Sequence, residues 1–181
     1  MAGLLGTVGT LLSPLLFTTQ PQASLAACSA LAEYYPGFTL TYASASLNAN
    51  YLYATNHYWS STNQDATPAC VVFPTNAEDV SAVIRLLLEY PSVPFAVKSG
   101  GHNANTGFSS VNGGVLISLQ DLDSTVLSSD YKTAEVGPGA RWMDAAGALE
   151  LYGLTVVGGR LGMCVSSVRS WLYSCFQVIL V

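Results

Sequence analysis

The sequence predicts an α+β fold, because short β-prone runs alternate with helical patterns over residues 66–162. Cys70–Phe73 is β-prone and ends at a proline, after which a pattern typical of a helix begins. Phe95–Val97 is a second such run and leads directly into two successive glycines. Val115–Leu119 follows another glycine pair. This part of the chain is therefore expected to form a strand, a helix and two further strands.

The first helix of this unit is expected from Asn76 to about Tyr90. Thr75 and Glu78 have the spacing of a capping box, in which each side chain accepts a hydrogen bond from the other residue's backbone N–H group. Apolar residues then recur on one helical face, and prolines end the pattern: Val80, Val83, Leu86 and Leu87, followed by Pro91 and Pro94.

The following residues predict a hairpin, a helix and a last strand. Thr125–Leu127 and Thr133–Val136 are short β-prone runs on either side of a polar turn. Arg141–Leu151 has apolar residues at helical spacing, and Gly153 is placed to end that helix. Leu154–Val157 is expected to be a last strand before the next pair of glycines.

Composition excludes several classes of protein. Half of the 181 residues are hydrophobic and only 9% are charged, which is typical of a packed domain and not of a disordered chain. The net charge is −5 and no basic stripe exists, so we expect no nucleic-acid partner. His57, His102 and the cysteines are too scattered to form a metal site. No apolar run reaches the ~20 residues that cross a bilayer, so no membrane partner is expected, and nothing indicates the oligomeric state.

Residues 1–27 have the pattern of a secretory signal peptide. They contain no Lys, Arg, Asp or Glu, and Leu4–Phe17 is mostly apolar. Ser24 and Ala26 supply the small residues that signal peptidase accepts at positions −3 and −1. We therefore expect a secreted protein, although the basic residues that usually begin such a signal are missing. A buried N-terminal helix is the alternative.

The cysteines allow one disulfide that would tie the N-terminal segment to the domain. In an oxidising compartment Cys28 and Cys70 could pair, and two buried free thiols are the alternative. Residues 28–65 are expected to be an irregular lead-in with one short helix near Ser29–Tyr34. No two cysteines have the two-residue gap of a zinc knuckle or a redox motif: they are Cys28, Cys70, Cys164 and Cys175.

The segment Lys98–Asn103 carries the chemistry of the chain. Its two successive glycines allow positive φ angles and leave no Cβ in the way. Backbone N–H groups in such a turn can converge on an anion, while Lys98 adds positive charge and Ser99 and Asn103 add hydrogen-bond donors. A pyrophosphate cradle is one interpretation, and an ordinary tight turn is the alternative. The glycine orders of the P-loop and of the dinucleotide-binding fingerprint are both absent.

Four blocks in order across residues 70–162 resemble one family. They are Cys70–Val80, Phe95–Asn103, Val136–Trp142 and Gly153–Arg160. These blocks are similar to the flavin-binding domain of FAD-linked oxidases related to vanillyl-alcohol oxidase and p-cresol methylhydroxylase (the PCMH type). The closest likeness is to their berberine-bridge-enzyme-like branch, as found in fungi. The resemblance implies a PCMH-type FAD-binding domain over residues 66–162, in which a small βαβ subdomain precedes the start of a second mixed α/β subdomain. It also implies that this domain is incomplete here.

The resemblance also implies FAD as the cofactor and assigns its site. His102 matches the histidine that, in many members, bonds covalently to the 8α-methyl carbon of the flavin. A neutral imidazole is a suitable nucleophile for that bond. Some members add a second link through cysteine, but that position here is Leu161, so a single histidyl link is implied. His57 is expected to have no role. The other implied contacts are Lys98, Ser99, Gly100, Gly101, Asn103, Gly107, Phe108, Gly137, Pro138, Gly139, Gly158, Gly159 and Gly162.

The resemblance stops after Gly162, where the family continues with a glycine-rich run. Residues 163–181 lack that pattern. Gly162, Met163 and Cys164 can be encoded by codons that contain GTATGT, a common form of the 5′ end of a fungal intron. We therefore expect residues 163–181 to be a translated intron, with a short paralogue bearing a novel tail as the alternative. Transcript reads spliced after Gly162 would support the intron, and uniformly unspliced reads would exclude it.

The function implied by the resemblance is an oxidoreductase that passes a hydride from a substrate C–H bond to the flavin, which O₂ then reoxidises. Sugars, alcohols, amines or secondary-metabolite intermediates are the implied small-molecule substrates. Asp144 and Glu150 have the spacing of a solvated helix face, so no catalytic base is assigned. The 181-residue chain alone is therefore expected to be inactive. The alternatives are a non-catalytic flavin-binding fragment, an unstable product, or a secreted structural protein whose glycine-rich turns are only turns.

Overall fold

The computed structural model describes residues 22–42, 48–159, 161–163 and 176–179. Helices and strands alternate through most of this length, in agreement with the mixed fold that the sequence predicts. In chain order the elements are α1 (Gln22–Tyr34), β1 (Thr39–Thr41), α2 (Ala49–Asn56), a 3-10 turn (Ser61–Asn63), β2 (Cys70–Val72), α3 (Ala77–Leu88), β3 (Phe95–Lys98), β4 (Val115–Ser118), β5 (Thr125–Leu127), β6 (Thr133–Val136), α4 (Trp142–Glu150) and β7 (Phe176–Ile179).

The first sheet has four strands in the order β1-β2-β4-β3. Strands β2 and β3 both run parallel to β4, and β1 runs antiparallel to β2. The α3 crossover makes the parallel arrangement possible, because parallel neighbours need a connection long enough to return to the same end of the sheet. All residues of β2 and β4 are buried, which explains their uninterrupted apolar sequences.

Helices cover both faces of this sheet. On one face α1 and α3 pack against alternate strand residues such as Val72 and Ile117. On the other face α2 supplies Tyr51 and Ala54, which pack against Val71 and its neighbours. The alternation of side chains along each strand therefore divides the core into two layers.

The N-terminal segment is part of this domain, so the expectation of an irregular lead-in over residues 28–65 is wrong, whereas the helix expected near Ser29–Tyr34 is present as the second half of α1. Strand β1 extends the sheet, and Cys28 of α1 forms a disulfide with Cys70 of β2, with their Cα atoms 5.9 Å apart. Helix α2 begins at an Asn48 cap, whose Oδ1 accepts hydrogen bonds from the N–H groups of Asn50 and Tyr51.

Helix α3 begins one residue later than the capping-box spacing predicts. Asn76 is its N-cap, with Oδ1 accepting a hydrogen bond from the Asp79 N–H group at 2.8 Å. The Asp79 carboxylate in turn accepts from the N–H and hydroxyl groups of Thr75 at 3.0 and 2.9 Å. Thr75 is thus a donor to the first turn, and these hydrogen bonds lower the pKa of Asp79.

The second sheet contains the predicted hairpin and one unexpected strand. Strands β5 and β6 are antiparallel, as predicted, and β7 pairs with the other edge of β6. Gly153 has φ +70° after α4, in agreement with its predicted role at the helix end. Leu154–Val157 is not a strand, and only Val156 makes an isolated bridge.

Several sequence predictions fall at the boundaries of the described chain. Most of the predicted signal peptide, residues 1–21, lies outside the described residues. Residues 22–27 begin α1, where Ser24 and Ala27 are fully buried. Cys164 and Cys175 also lie outside the described residues. None of the described helices combines the length and the apolar character needed to cross a membrane.

Candidate functional site

The predicted glycine-rich loop follows β3, at the carboxyl end of the parallel strands. The last contact of the β3–β4 pair is the hydrogen bond from the Leu119 N–H group to the Lys98 carbonyl, at 2.8 Å. The chain then turns through Gly101, which is buried with φ +69°, and exposes His102 directly after it. Ligands of open α/β sheets bind outside this end of the strands, so the loop occupies a suitable position.

The backbone of this turn has the character of an anion site. Within the described part of the chain, the N–H groups of Gly100, Gly101, His102 and Asn103 donate to no other residue. Successive N–H groups without internal acceptors are the donors that hold phosphate oxygens in nests of this kind. The turn therefore fits the phosphates of a dinucleotide such as FAD.

The structure brings a second predicted glycine segment next to this turn. The Ser99 hydroxyl donates a hydrogen bond to the carbonyl of Pro138. A Cβ on Gly137 would lie 2.1 Å from the Leu122 carbonyl oxygen, and one on Gly139 would lie 2.1 Å from the Leu119 oxygen. These two glycines are therefore required by the close approach of the chain that follows β4.

The third predicted glycine segment packs on α4. A Cβ on Gly158 would come within 2.4 Å of the Trp142 ring, and one on Gly159 within 2.7 Å of it. A Cβ on Gly162 would lie 2.9 Å from the Met143 Cβ atom. Packing against the helix is sufficient to explain these glycines, and their contact with a cofactor stays a prediction.

Asn63 holds the rest of the loop in place. Its side chain is fully buried, and its Nδ2 donates to the Asn103 carbonyl at 2.9 Å. Its Oδ1 accepts a hydrogen bond from the Ser110 hydroxyl at 2.8 Å. Ser110 also accepts from the Gly107 N–H group at 3.2 Å, and Gly107 has φ +86°. One buried amide thus joins both ends of the segment 103–110, while Phe108 within it is exposed.

Two aromatic residues before Asn63 contact the same loop. The Tyr58 hydroxyl donates to the Ser109 carbonyl at 2.8 Å, and the Trp59 N–H group donates to the Gly101 carbonyl at 3.0 Å. Burial raises the pKa of the Tyr58 phenol, so the group stays a donor. Tyr58, Trp59 and Asn63 could not be predicted from the sequence, because contacts over such separations leave no local periodicity in it.

Lys98 does not have the position expected from the sequence. Its side chain is only 2% exposed, because the alternation along β3 places Lys98 on the buried face together with Ala96. The Nζ atom donates to the Ala54 carbonyl at 2.6 Å and lies 4.1 Å from the centre of the Tyr58 ring. The expectation that this ammonium faces the phosphates is therefore wrong.

A cluster of three polar side chains lies beside the turn, on the side of α2: Tyr53, His57 and Arg141. The Tyr53 ring stacks on His57 with centroids 4.5 Å apart, and Arg141 donates a hydrogen bond to the Tyr53 hydroxyl. Burial and then the charges of Arg141 and Lys98 lower the pKa of His57. A Cβ on Gly101 would lie 2.8 Å from the His57 carbonyl oxygen, so His57 contributes backbone packing to the turn.

Asp144 and Glu150 are exposed on α4 and are not assigned as catalytic bases. No cluster of three or more His, Cys, Asp or Glu side chains that could hold a metal ion occurs in the described ranges.

Residues 68–173 match a family described as an FAD binding domain. The match begins close to the predicted domain start at residue 66 and continues past Gly162, so the predicted boundary at 163 stays a prediction. An uncharacterized FAD-linked oxidoreductase from Arthroderma benhamiae is 43% identical over 106 residues, which are 59% of this chain and 21% of that relative. An FAD-dependent monooxygenase from Arthrobotrys oligospora is 45% identical over 115 residues, 63% of this chain and 22% of that relative. The chain thus spans about a fifth of the length of these curated relatives.

A solved structure shows the same fold. Berberine bridge enzyme from Eschscholzia californica superposes with a TM-score of 0.59 and 19% sequence identity, covering 75% of this chain and 28% of that enzyme. This agrees with the α+β, PCMH-type fold that the sequence predicts. Because the family match covers more than half of the chain and the fold agrees with it, this chain belongs to the FAD binding domain family of the FAD-linked oxidoreductases.

Proposed function

We propose that the chain is the flavin-binding portion of a secreted FAD-dependent oxidase and that His102 forms a single covalent bond to the cofactor. The observation that carries this proposal is the turn itself, in which four successive N–H groups lack described acceptors and one of them belongs to the exposed His102. The family match supports the identity of the cofactor.

Each residue of the turn has a distinct task in this proposal. The N–H groups of Gly100–Asn103 bind the cofactor phosphates, and the buried Gly101 turns the chain so that His102 projects outward. His102 would supply the imidazole nitrogen that replaces one hydrogen of the flavin 8α-methyl group, and O₂ would take up the two electrons and two protons released as the N–H and C–H bonds are lost. This bond would tether the cofactor. Ser99 holds this turn against Pro138, at the start of the second subdomain.

The bound flavin supplies the redox chemistry, taking a hydride from a substrate C–H bond and passing electrons to O₂. The described residues orient the cofactor, and none of them is assigned as a catalytic base. The substrate in the longer relatives is proposed to be a small molecule such as a sugar, an alcohol, an amine or a secondary-metabolite intermediate.

Two features support secretion. The buried disulfide between Cys28 and Cys70 is typical of proteins that fold in an oxidising compartment. Residues 1–27 carry no charged side chain. Cleavage after Ala26 would remove the first five residues of α1, among them the buried Ser24. Sequencing the N-terminus of the protein recovered from culture medium tests this part of the proposal, with cleavage at that position as the expected result. Retention of the uncleaved chain inside the cell would contradict it.

Retention of the flavin after denaturation tests the covalent bond. The chain is produced with FAD, unfolded in guanidinium chloride and separated from free flavin. We expect flavin absorbance to remain with the wild-type polypeptide and to be lost in His102→Ala. His57→Ala is the matched control, because it removes the only other imidazole and is expected to keep the absorbance. Loss of flavin from the unfolded wild-type chain would contradict a covalent bond.

A non-catalytic flavin-binding fragment is the second candidate. The observation that favours it is that no described residue is assigned as a catalytic base, since Asp144 and Glu150 are exposed on α4. Oxygen uptake by the flavin-loaded chain with candidate sugars, alcohols and amines tests this candidate. Retained flavin without oxygen uptake is the expected result for the chain alone, and measurable turnover would exclude a non-catalytic fragment.

A further inference from the structure

Lys98 is the one charged residue in the buried set of the described chain, and the proposed function makes no use of its ammonium group. A buried ammonium costs stability unless acceptors surround it. The two carbonyl acceptors of Lys98 both belong to α2, more than forty positions earlier in the chain.

The Lys98 ammonium caps the carboxyl end of α2. Nζ donates to the Ala54 carbonyl at 2.6 Å and contacts the Tyr53 carbonyl at 3.4 Å. The helix does not continue past this point, because the Tyr58 N–H group, which would otherwise reach Ala54, donates to the Asn56 carbonyl at 3.1 Å. A cation at the last carbonyls of a helix satisfies them and interacts favourably with the helix dipole.

The same ammonium lies against the flavin-binding turn. It faces the ring of Tyr58 at 4.1 Å, a favourable cation–π distance. A Cβ on Gly101 would lie 3.0 Å from Lys98 Cε and 3.0 Å from Tyr58 Cδ1, so the three residues are in direct contact. The Trp59 N–H group, next to Tyr58, then binds the Gly101 carbonyl at 3.0 Å.

We propose that Lys98 is a positioning residue, which locks α2 and Tyr58 to Gly101 and so fixes the direction in which His102 projects. The inference rests on the proposed function of His102 as the flavin attachment site. It gives Lys98 a task inside the domain and not at the cofactor phosphates.

Hydrogen exchange of the Trp59 amide tests this lock without any flavin. We expect Lys98→Met, which keeps the length of the side chain and removes its charge, to speed exchange of that amide about tenfold at pH 6. Lys98→Arg keeps a cation that can bind the same carbonyls and ring, and is expected to restore much of the protection. Lys132→Met replaces the other, exposed lysine and serves as the matched control. The amides of Val71 and Leu116 report whether the core stays folded.

A second pair of variants keeps the test decisive if Lys98→Met does not fold. Tyr58→Phe preserves the ring over the ammonium and loses the hydroxyl contact with Ser109, so the Trp59 amide is expected to stay protected. Tyr58→Leu removes the ring and is expected to raise exchange in the same way as Lys98→Met. Equal exchange in Tyr58→Phe and Tyr58→Leu would overturn the proposal.

Flavin attachment provides the second readout. In Lys98→Met we expect covalent incorporation of FAD to slow about tenfold or more, with recovery in Lys98→Arg. Unchanged Trp59 exchange in Lys98→Met would overturn the lock, as would an Arg variant that behaves like the Met variant. Absence of covalent flavin in the wild type would refute the proposed function. It would leave the test of the lock intact, because hydrogen exchange of the Trp59 amide is measured without flavin.

Discussion

Asn63 organises a loop that is forty positions away in the chain. Its donor and acceptor are both used, by the Asn103 carbonyl and the Ser110 hydroxyl, and the side chain is fully buried. In Asn63→Ala the Asn103 carbonyl and the buried Ser110 hydroxyl each lose a hydrogen bond. We expect a loss of about 1–3 kcal/mol in the free energy of unfolding, the cost of leaving buried polar groups unsatisfied.

Urea titration of the Asn63→Ala chain measures this loss. Asn50→Ala, at an exposed position on α2, is the control and is expected to change the free energy of unfolding by less than about 0.5 kcal/mol. A loss in Asn63→Ala as small as that of the control would show that the loop does not depend on this network.

The burial of Lys98 is expected to make the stability of the fold depend on pH. Burial lowers the pKa of Lys98 to about 7 from an ordinary value of 10.5. Between these values the unfolded chain binds one more proton than the folded chain, so this group makes stability rise with pH across that window. Below about pH 7 both states are protonated and its contribution is constant.

Thermal unfolding between pH 7 and 9 measures this contribution. The facing Tyr58 phenol has a raised pKa and stays neutral there, and the nearby His57 has a lowered pKa and is neutral as well. The unfolding temperature is expected to rise less with pH in Lys98→Met than in the wild type or in Lys132→Met. An identical slope in all three proteins would contradict the prediction.

At the scale of elements, the sequence predicts those helices and strands whose burial is periodic. Strands β2, β3, β4 and β6 and helix α3 agree with their patterns, because each buries side chains in a core cluster. Strand β5 also forms as predicted, although none of its residues is buried. Helix α2 was missed because its buried face consists only of Tyr51, Ala54 and Thr55. Strand β1 was missed because three residues at a sheet edge leave too short a pattern.

The disulfide between α1 and β2 is expected to contribute to the free energy of unfolding. Cys28 and Cys70 are 42 positions apart, and closing a loop of that size is expected to stabilise the fold by about 4 kcal/mol through the unfolded state. The double variant Cys28→Ala and Cys70→Ala removes the bond with little change in volume. Its free energy of unfolding in a urea titration is expected to fall by about that amount.

Addition of reductant provides the control for the disulfide. It should destabilise the wild-type chain and leave the double variant unchanged. A wild-type chain that keeps its full stability in reductant would show that the disulfide contributes little to the fold.

For the whole molecule, the sequence predicted the glycine-rich turn more completely than the contacts that support it. The order of the glycine-rich blocks pointed to this turn, and the Ser99–Pro138 hydrogen bond joins two of the blocks, while the binding of the cofactor there stays a prediction. The support of the turn by Tyr58, Trp59 and Asn63 was not predicted, since it depends on how α2 and the 3-10 turn pack beneath the loop. The position of Lys98 was predicted wrongly, although strand alternation from the buried Ala96 could have shown its buried face.

Peptide mapping of the flavin-loaded chain shows which histidine carries the flavin. Trypsin cleaves after Lys98 and Lys132, so His102 lies in the peptide 99–132, whereas His57 lies in a peptide that ends at Arg85. After denaturation and digestion, mass spectrometry is predicted to find one flavin on the peptide 99–132. A flavin found on the peptide with His57, or an unmodified peptide 99–132 from a chain that held flavin when folded, would contradict the attachment of FAD at His102.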